Sequence, residues 1–319
     1  MALETLREIS LQFSKVQPKQ IDHLTEETPF LDLVRFGPST HDLWHNAQQL
    51  DVADAMGFVA MDQPLPRISS EGRLVKFDLS KMGGMLEVGE DMARQLGGHP
   101  KYFAEKTGPV LKKTGMTTER VIIYNNLRQY ALDHFKTQTV KRNIYDAGGT
   151  GNTNYSIVAV RFEEGVCQGL YNPKGFGKGT LFNTEPINNG ALYKIDAEGV
   201  LGYGVRFKSD LGFMMTGDRN ISAIVNIDPS LGTDKKPKAV PTSTMIDDML
   251  ADIRATDSGR TMLVMHPRVR SMLMREFKDT RIWLRPEDKV INRKLMAWDD
   301  IPFVTTYNMD DAKEAKVTV

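Results

Sequence analysis

The sequence predicts an α+β protein whose folded core carries outstretched arms. Three observations lead to this class. Residues 153–228 alternate with a period of two and are interrupted by glycines, which is typical of strands. Residues 117–137 follow a strong helical repeat. A compact helix–strand–helix pattern, as in a small α/β unit, comes after a lysine- and proline-rich connector at residues 229–241.

Length and composition exclude several classes of protein. The 319 residues suffice for one large or two modest domains. Basic and acidic residues number 41 each, and this neutral balance argues against a dedicated nucleic-acid-binding protein. The single cysteine, Cys167, excludes an internal disulfide framework and indicates a reducing compartment. We expect neither a signal peptide in MALETLREIS nor a membrane span, which needs roughly 18 apolar residues.

Residues 1–50 predict an N-terminal arm that has no core of its own. An amphipathic helix is expected at residues 2–15, where Leu6, Ile9 and Phe13 share one face. Thr28-Pro29 then favours a turn or an extended link, and FLDLVRFGPSTHDLWHNAQQL is expected to be extended chain with a break at its Gly-Pro pair.

Residues 51–84 predict a long hairpin that packs on a neighbouring surface. The run MGFVAMD is expected to be its first strand, and a polar tip rich in proline and serine follows. The second strand alternates, with Val75, Phe77 and Leu79 on one side and polar residues on the other. Because isolated two-stranded hairpins are marginal in water, we expect this one to find a partner surface.

Residues 85–137 predict helices. EVGEDMARQLGG is expected to be a short helix that Gly97-Gly98 terminates. Pro109 is expected to kink or break the segment HPKYFAEKTGPVLKKTG. TTERVIIYNNLRQYALDHFKT is the strongest helix of the sequence, and Thr117 or Thr118 is its predicted N-cap.

The remaining segments predict a sheet and then an α/β unit. The predicted strands of the middle region are NYSIVAVRF, GVCQGLYN, ALYKIDAEGVLGYGVRF and ISAIVNI. In the last third, TSTMIDDMLADIRA predicts a capped helix and RTMLVMH a buried strand. PRVRSMLMREFK begins with proline, which suits the first turn of a helix, and KLMAWDDIPFVTTYNM predicts a final strand and a tail.

Two glycine-rich stretches and a histidine pair resemble ligand sites only superficially. NPKGFGKGT lacks the glycine spacing of a phosphate loop and predicts a flexible hairpin tip. DAGGTGNTN has neither the preceding strand nor the following helix of a dinucleotide site. His41 and His45 have zinc-helix spacing, but extended chain would place them about 13 Å apart, so structural roles are favoured.

The other candidate residues also favour structural roles. Cys167 lies in a strand-like apolar run, so a buried, inert thiol is expected. His266 lies between a strand and a helix, where it could act in catalysis or cap a turn, and we favour the cap. Asp247-Asp248 diverge on a helix, and Asp299-Asp300 precede a strand in a turn-like context. The sequence therefore predicts no catalytic residue, cofactor or metal site.

With its elements in this order, the sequence resembles the major capsid proteins of tailed bacteriophages, which have the Hong Kong 97 type fold. The phrases that carry the resemblance are similar to those of the short-tailed epsilon fifteen-like subgroup. They are TEETPFLDLVRF, SIVAVRFEEGVCQGLYNPKGF, LGYGVRFKSDLGFMMTGDRNISAIVNI and MHPRVRSMLMREF with IPFVTT. One departure is that DIPF stands where such endings often carry a glycine, which leaves the local turn open.

The resemblance implies a division of the chain into the parts of that fold. Residues 1–50 would be the N-terminal arm and 51–84 the extended β-hairpin loop. Residues 85–230 would form the peripheral domain with its long spine helix and sheet. Residues 231–304 would form the axial α/β domain, and residues 305–319 would return to the peripheral domain.

The resemblance also implies a function without catalysis. The chain would self-assemble through pentamers and hexamers into the icosahedral head shell that encloses double-stranded DNA. Its partners would be its own copies, a separate scaffolding protein, since no room is seen for a fused one, and a portal protein, with a decoration protein left open. Contact with packaged DNA would be non-specific, no membrane would be involved, and assembly would occur in the host cytoplasm. The alternatives are an α/β enzyme with an unrecognised site near His266 and Asp299, or another phage assembly protein such as a tube subunit.

Overall fold

The structure is a computed structural model. It describes residues 4–5, 24, 27–56, 58–59, 61, 64–65, 67–137, 142–174, 183–233, 236–255, 260–277, 282–284, 296–310 and 313–319.

Strands dominate the described residues. They are β1 (Glu4–Thr5), β2 (Arg35–Pro38), β3 (Trp44–Ala53), β4 (Ser70–Asp78), β5 (Ser80–Gly89), β6 (Ile144–Asp146), β7 (Tyr155–Phe162), β8 (Cys167–Tyr171), β9 (Asn183–Pro186), β10 (Tyr193–Lys194), β11 (Leu201–Met215), β12 (Ile221–Leu231), β13 (Pro237–Ala239), β14 (Arg260–Met265), β15 (Ile282–Leu284), β16 (Met296–Trp298) and β17 (Ile301–Thr305). The helices are α1 (Glu90–Gln95), α2 (His99–Val121), a π-helical segment (Ile122–Arg128), α3 (Gln129–Thr137), α4 (Ser243–Asp252) and α5 (Pro267–Phe277), with 3₁₀ turns at Ile187–Gly190 and Asp218–Asn220.

Within the described residues these strands form three sheets. The first sheet has the order β1-β2-β8-β11-β10, and β5 and β9 also pair with the long β11. The second has the order β13-β12-β7-β14-β17-β16-β15, and β6 joins it through β12. The third is the two-stranded hairpin β3-β4. The mixture of helices with antiparallel and parallel strands confirms the predicted α+β class.

Two cores cover the opposite faces of the second sheet. Along β7, Val158, Val160 and Phe162 contribute to a core shared with the long helix, whereas Ile157 and Ala159 contribute to a core shared with α4 and α5. Every residue of β7 is buried, as expected for a strand covered on both faces. The period of two seen in the sequence therefore separates two cores rather than a core and solvent.

The helix predicted at residues 117–137 begins much earlier. Helix α2, the π-helical segment and α3 follow one another without a break from His99 to Thr137, and we call this unit the spine helix. The predicted break at Pro109 is wrong, because Pro109 lies inside α2. The predicted cap is also wrong. Thr117 and Thr118 lie within the helix and donate to the carbonyls of the residues four earlier.

The root of the predicted N-terminal arm packs into a core that it shares with the spine helix and the second sheet. Phe30, Leu31 and Val34 have no exposed surface, and β2 pairs in parallel with β8. The helix predicted at residues 2–15 lies outside the described residues except for Glu4–Thr5. These two residues form a strand paired with β2, not a helix.

The hairpin exists, but its first strand differs from the predicted one. Trp44–Ala53 pairs with Ser70–Asp78, and MGFVAMD falls in the connection between them. The predicted alternation of β4 is confirmed, because Val75 and Phe77 are half-buried while their neighbours are exposed. Residues from Ser80 onward form β5, which pairs with β11 of the first sheet.

The predicted α/β unit is confirmed element by element. Thr242 caps α4 by accepting a hydrogen bond from the Met245 amide at 3.2 Å. The buried strand β14 leads into α5, which begins at Pro267. The predicted connector at 229–241 is partly strand, since β12 runs to Leu231 and β13 follows. Asp299 and Asp300 have φ of 42° and 69° and form the tight turn between β16 and β17.

Candidate assembly surfaces

The hairpin is anchored at its base and exposed at its end. Ala47 and Leu79 pack with Leu170 and Met214 in a small core between the hairpin and the first sheet. The Gln49 side-chain amide donates to the Thr216 carbonyl at 3.0 Å. Gln49 pairs with Arg73, so only residues 70–72 of β4, about 10 Å of strand, lie between this contact and the end of the hairpin. The hairpin is therefore anchored on the first sheet as far as Gln49, and its end lies beyond this anchor.

The connection between β3 and β4, residues 54–69, is the tip of the hairpin. Four of its described large apolar side chains, Met56, Phe58, Met61 and Leu65, expose 83–110% of their surface, Ile68 exposes 54%, and Val59 is half-buried. Asp54 closes the base of the tip by accepting from the Ser69 amide and hydroxyl at 2.9 Å each. An exposed group of large apolar side chains on a projecting element marks an interaction surface.

A buried carboxylate on the spine helix joins the two ends of the chain. Glu119 has no exposed surface and accepts hydrogen bonds from the Phe30 and Leu31 amides at 3.1 and 2.9 Å. It also accepts from the Thr306 hydroxyl and from the Asn308 amide at 3.0 Å. Burial raises the pKa of Glu119, and these hydrogen bonds oppose the rise. Glu119 thus holds the arm root and the segment after β17 on one helix.

The C-terminal segment is bound to the spine helix at further points. The Arg120 guanidinium forms a bidentate ion pair with the Asp310 carboxylate, and both N–O distances are 2.9 Å. Glu314 accepts from the Tyr124 hydroxyl at 2.7 Å and from the Ser156 hydroxyl, and it lies 3.4 Å from the Arg128 guanidinium. Burial raises the pKa of Glu314, while the charge of Arg128 lowers it. The described C-terminal residues are therefore part of the fold.

The histidine pair and the cysteine have structural surroundings. The ring of His41 packs edge-on against Trp44, and His45 Nδ1 accepts from the Thr40 amide at 3.2 Å. Partial burial lowers the pKa of His45. Cys167 is fully buried, as predicted, and burial raises the pKa of its thiol, so the thiolate is disfavoured.

The structure does not bring His266 and Asp299 together. His266 is buried at the end of β14, and its Nδ1 accepts from the Arg268 amide at 3.2 Å, which caps the start of α5. Strands β14 and β17 are parallel, with Met265 opposite Thr305, so Asp299 precedes the start of β17 at the other end of the sheet. The two side chains lie about 20 Å apart along the strands.

The remaining candidate residues have similar outcomes. Asp247 accepts from the indole of the buried Trp298 at 2.9 Å, whereas Asp248 is exposed. In DAGGTGNTN, Gly149 lies against the Asn226 carbonyl, which a side chain would meet at 2.5 Å. Most of NPKGFGKGT lies outside the described residues.

The described residues contain neither a metal-binding cluster nor a membrane-spanning helix. In the part of the chain that the structure describes, no group of three or more histidine, cysteine, aspartate or glutamate residues could hold a metal ion. Among the described helices, none is long and apolar enough to cross a membrane.

Sequence reasoning missed Glu119 and Glu314. A glutamate in a helix is usually solvated, and nothing in the local pattern marks these two as buried. A weak signal existed in Gly115, which lies one helical turn before Glu119 and leaves room for the Leu24 carbonyl.

Comparison with protein families decides what kind of molecule this is. The model of the family described as "Major capsid protein GP7" matches residues 124–318, which is more than half of the chain. The chain belongs to this major capsid protein family. A search of curated protein sequences gave no match.

Solved structures also align with this capsid protein. The structure of bacteriophage Epsilon15 aligns with a TM-score of 0.53 at 15% identity, covering 88% of this chain and 87% of that one. The capsid of bacteriophage JBD30 aligns with a TM-score of 0.44 at 9% identity, covering 86% of this chain and 88% of that one. The encapsulin SrpI complex of Synechococcus elongatus PCC 7942 gives a TM-score of 0.41 at 11% identity, with 72% and 97% covered.

These findings confirm the predicted family and fold. The capsid protein has the Hong Kong 97 type fold and is a structural component of a phage capsid shell.

Proposed function

We propose that this capsid protein assembles through pentamers and hexamers into an icosahedral shell around double-stranded DNA, and that each copy buries its hairpin tip on a sister copy. The observation that carries this proposal is the exposed apolar tip on an arm rooted in the protein's own core. The large apolar side chains of the tip stay exposed in the single chain, so a neighbour supplies the missing contact.

The energetics favour such a contact. Full burial of one large apolar side chain contributes roughly 1.5–3 kcal/mol. Met56, Phe58, Met61 and Leu65 together therefore offer several kcal/mol that the single chain leaves unused. A tip on one copy and its receiving surface on the next form a heterologous contact, which closes into a ring when the rotation between copies permits.

The same proposal covers the parts of the molecule and its partners. We assign residues 1–50 to an N-terminal arm, 51–84 to an extended loop, 85–230 to a peripheral domain, 231–304 to an axial domain and 305–319 to a returning segment. A separate scaffolding protein and a portal protein are proposed partners, and a decoration protein remains open. Assembly takes place in the host cytoplasm, and the protein catalyses no reaction. The separation of His266 from Asp299 counts against the enzyme alternative.

Substitution of the tip tests the proposal. We expect the double variant Phe58→Ser/Met61→Ser to fold with an unchanged melting temperature, because both side chains are exposed in the single chain. Assembly into shells, followed by sedimentation velocity and electron microscopy, should fall at least tenfold. The matched control is Val200→Ser/Leu201→Ser, which removes two exposed apolar side chains elsewhere. Normal shells from the tip variant would contradict the proposal.

A further inference from the structure

A cleft with a volume of about 420 Å³ lies at one end of the second sheet. Its lining includes two arginines of α5, Arg268 and Arg275, and the hydroxyl-bearing residues Thr153, Ser230 and Ser271. Asp228 also lines it, and the carboxylate of Asp228 accepts from the Ser230 amide at 3.0 Å. We call this the basic cleft, because its lining carries two guanidinium groups and one carboxylate.

Helix α5 presents the arginines to solvent as a pair. Arg268 and Arg275 are exposed and lie two helical turns apart, about 10.5 Å along the axis. Val269, Met272 and Leu273 of α5 are buried in the core under the sheet. The buried side fixes the rotation of the helix, so the spacing of the two arginines is set before any partner arrives.

An acidic turn lies at the opposite end of the same sheet. Asp299 and Asp300 are exposed between β16 and β17. The preceding residue, Trp298, is fully buried and donates to Asp247, which fixes the base of the turn. The pairings Met265–Ile157 and Ile227–Tyr155 place the basic cleft where β14 and β12 end. The acidic turn precedes β17, parallel to β14, and so lies at the other end.

We propose that the Asp299-Asp300 turn of one copy docks in the basic cleft of the next copy. The inference rests on the proposed self-assembly and names a second contact within it. One copy cannot join the two sites, because a sheet about 20 Å long separates them. Two carboxylates match two guanidinium groups, and arginine–carboxylate pairs are strong and directional. The contact is heterologous, so repeating it around an axis generates a ring.

A charge exchange tests the pairing. We expect Asp299→Lys/Asp300→Lys and Arg268→Glu/Arg275→Glu each to reduce shell assembly at least tenfold at low salt. The variant with all four substitutions presents a basic turn to an acidic cleft, and we expect it to recover assembly to within about threefold. A second test, Asp299→Asn/Asp300→Asn, removes the charges with residues that tolerate positive φ, so the turn keeps its shape. This variant should assemble less well and lose its dependence on salt.

The controls separate this contact from general charge effects and from the hairpin. Asp91→Lys/Glu105→Lys makes the same change in net charge at two exposed positions of other helices and should assemble normally. Melting temperatures show that each variant folds. The pairing is overturned if Asp299→Lys/Asp300→Lys and Arg268→Glu/Arg275→Glu assemble like the natural chain. It is also overturned if the variant with all four substitutions folds but still fails to assemble. Failure of the tip variant to impair assembly would instead count against the hairpin proposal alone.

Discussion

Glu119 shows how one residue can hold distant segments together. Its hydrogen-bond partners lie 88 and 89 residues before it and 187 and 189 residues after it. A buried carboxylate is costly unless its oxygens are satisfied, and here two backbone amides and one side-chain amide can only donate. The arm root, the spine helix and the C-terminal segment therefore depend on the same side chain.

Removal of this carboxylate should destabilise the fold. Glu119→Ala leaves the Phe30 and Leu31 amides and the Asn308 side chain without their acceptor in a buried place. We expect the free energy of unfolding, measured by urea denaturation of the dissociated chain, to fall by about 3 kcal/mol. Glu105→Ala, at an exposed position of the same helix, should change it by less than about 0.5 kcal/mol. Equal effects at the two positions would refute the role of Glu119.

Glu314 should make stability depend on pH in a defined direction. Burial raises the pKa of Glu314 above the ordinary value of 4.5. Between pH 4.5 and this raised pKa, the folded chain therefore binds more protons than the unfolded chain. The contribution of this group to the free energy of unfolding therefore falls as pH rises through that window. The natural chain should exceed Glu314→Gln in stability most at acidic pH, and the difference should shrink as pH rises. A difference that grows with pH would contradict the assignment.

At the scale of elements, the crossing of the arm root over the spine helix depends on a glycine. A β-carbon at Gly115 would lie 2.0 Å from the Leu24 carbonyl oxygen. Alanine is favoured over glycine within a helix by about 1 kcal/mol, so helix propensity alone predicts that Gly115→Ala is stabilising. The steric clash with the Leu24 carbonyl should instead make Gly115→Ala destabilising.

We expect Gly115→Ala to lower the free energy of unfolding by about 1–3 kcal/mol, because the backbone of the arm root must move. Chemical denaturation measures the change. Gly84→Ala is the matched control, since a β-carbon there meets nothing within 4 Å. A stabilised Gly115→Ala variant would show that the arm root does not lie against the helix at this point.

The sequence predicted well those elements whose type is marked by a local pattern, such as an apolar run or a helix cap. Strand β7 is mostly apolar and buried throughout, and α4 has Thr242 as its N-cap. Most of strand β3 was predicted only as extended chain, because its run WHNAQQLDVA mixes apolar and polar residues without alternation. The apolar run MGFVAMD was taken for a strand because apolar residues usually indicate burial in the same chain. Here the described side chains of that run, apart from the half-buried Val59, are exposed, since their proposed partner is another copy.

The candidate surfaces could be predicted only in part, for a related physical reason. The polar hairpin indicated an arm, because such a strand pair is unstable alone. The docking of the acidic turn in the basic cleft depends on which residues lie at the same end of the second sheet and which lie at opposite ends. Arg268 and Asp299 are 31 positions apart along the chain, and only the parallel pairing of β14 and β17 places them at opposite ends.

At the scale of the whole molecule, folding and assembly use different residues. The two main cores lie on either side of the second sheet and include no residue of the tip. The hairpin joins the rest of the chain through the small core at its base. Loss of the tip should therefore leave the folded chain intact and remove a contact that only assembly completes.

Replacement of the whole tip tests this separation. Ala53 and Ser70 are direct partners across the hairpin, so a two-residue Asn-Gly turn in place of residues 54–69 can close β3 onto β4. The shortened chain should melt within a few degrees of the natural chain, because its cores are unchanged. Its sedimentation profile should lack shells under conditions where the natural chain forms them. Shells of normal size from this variant would mean that the tip is dispensable, while a collapse of the melting temperature would mean that it belongs to the fold.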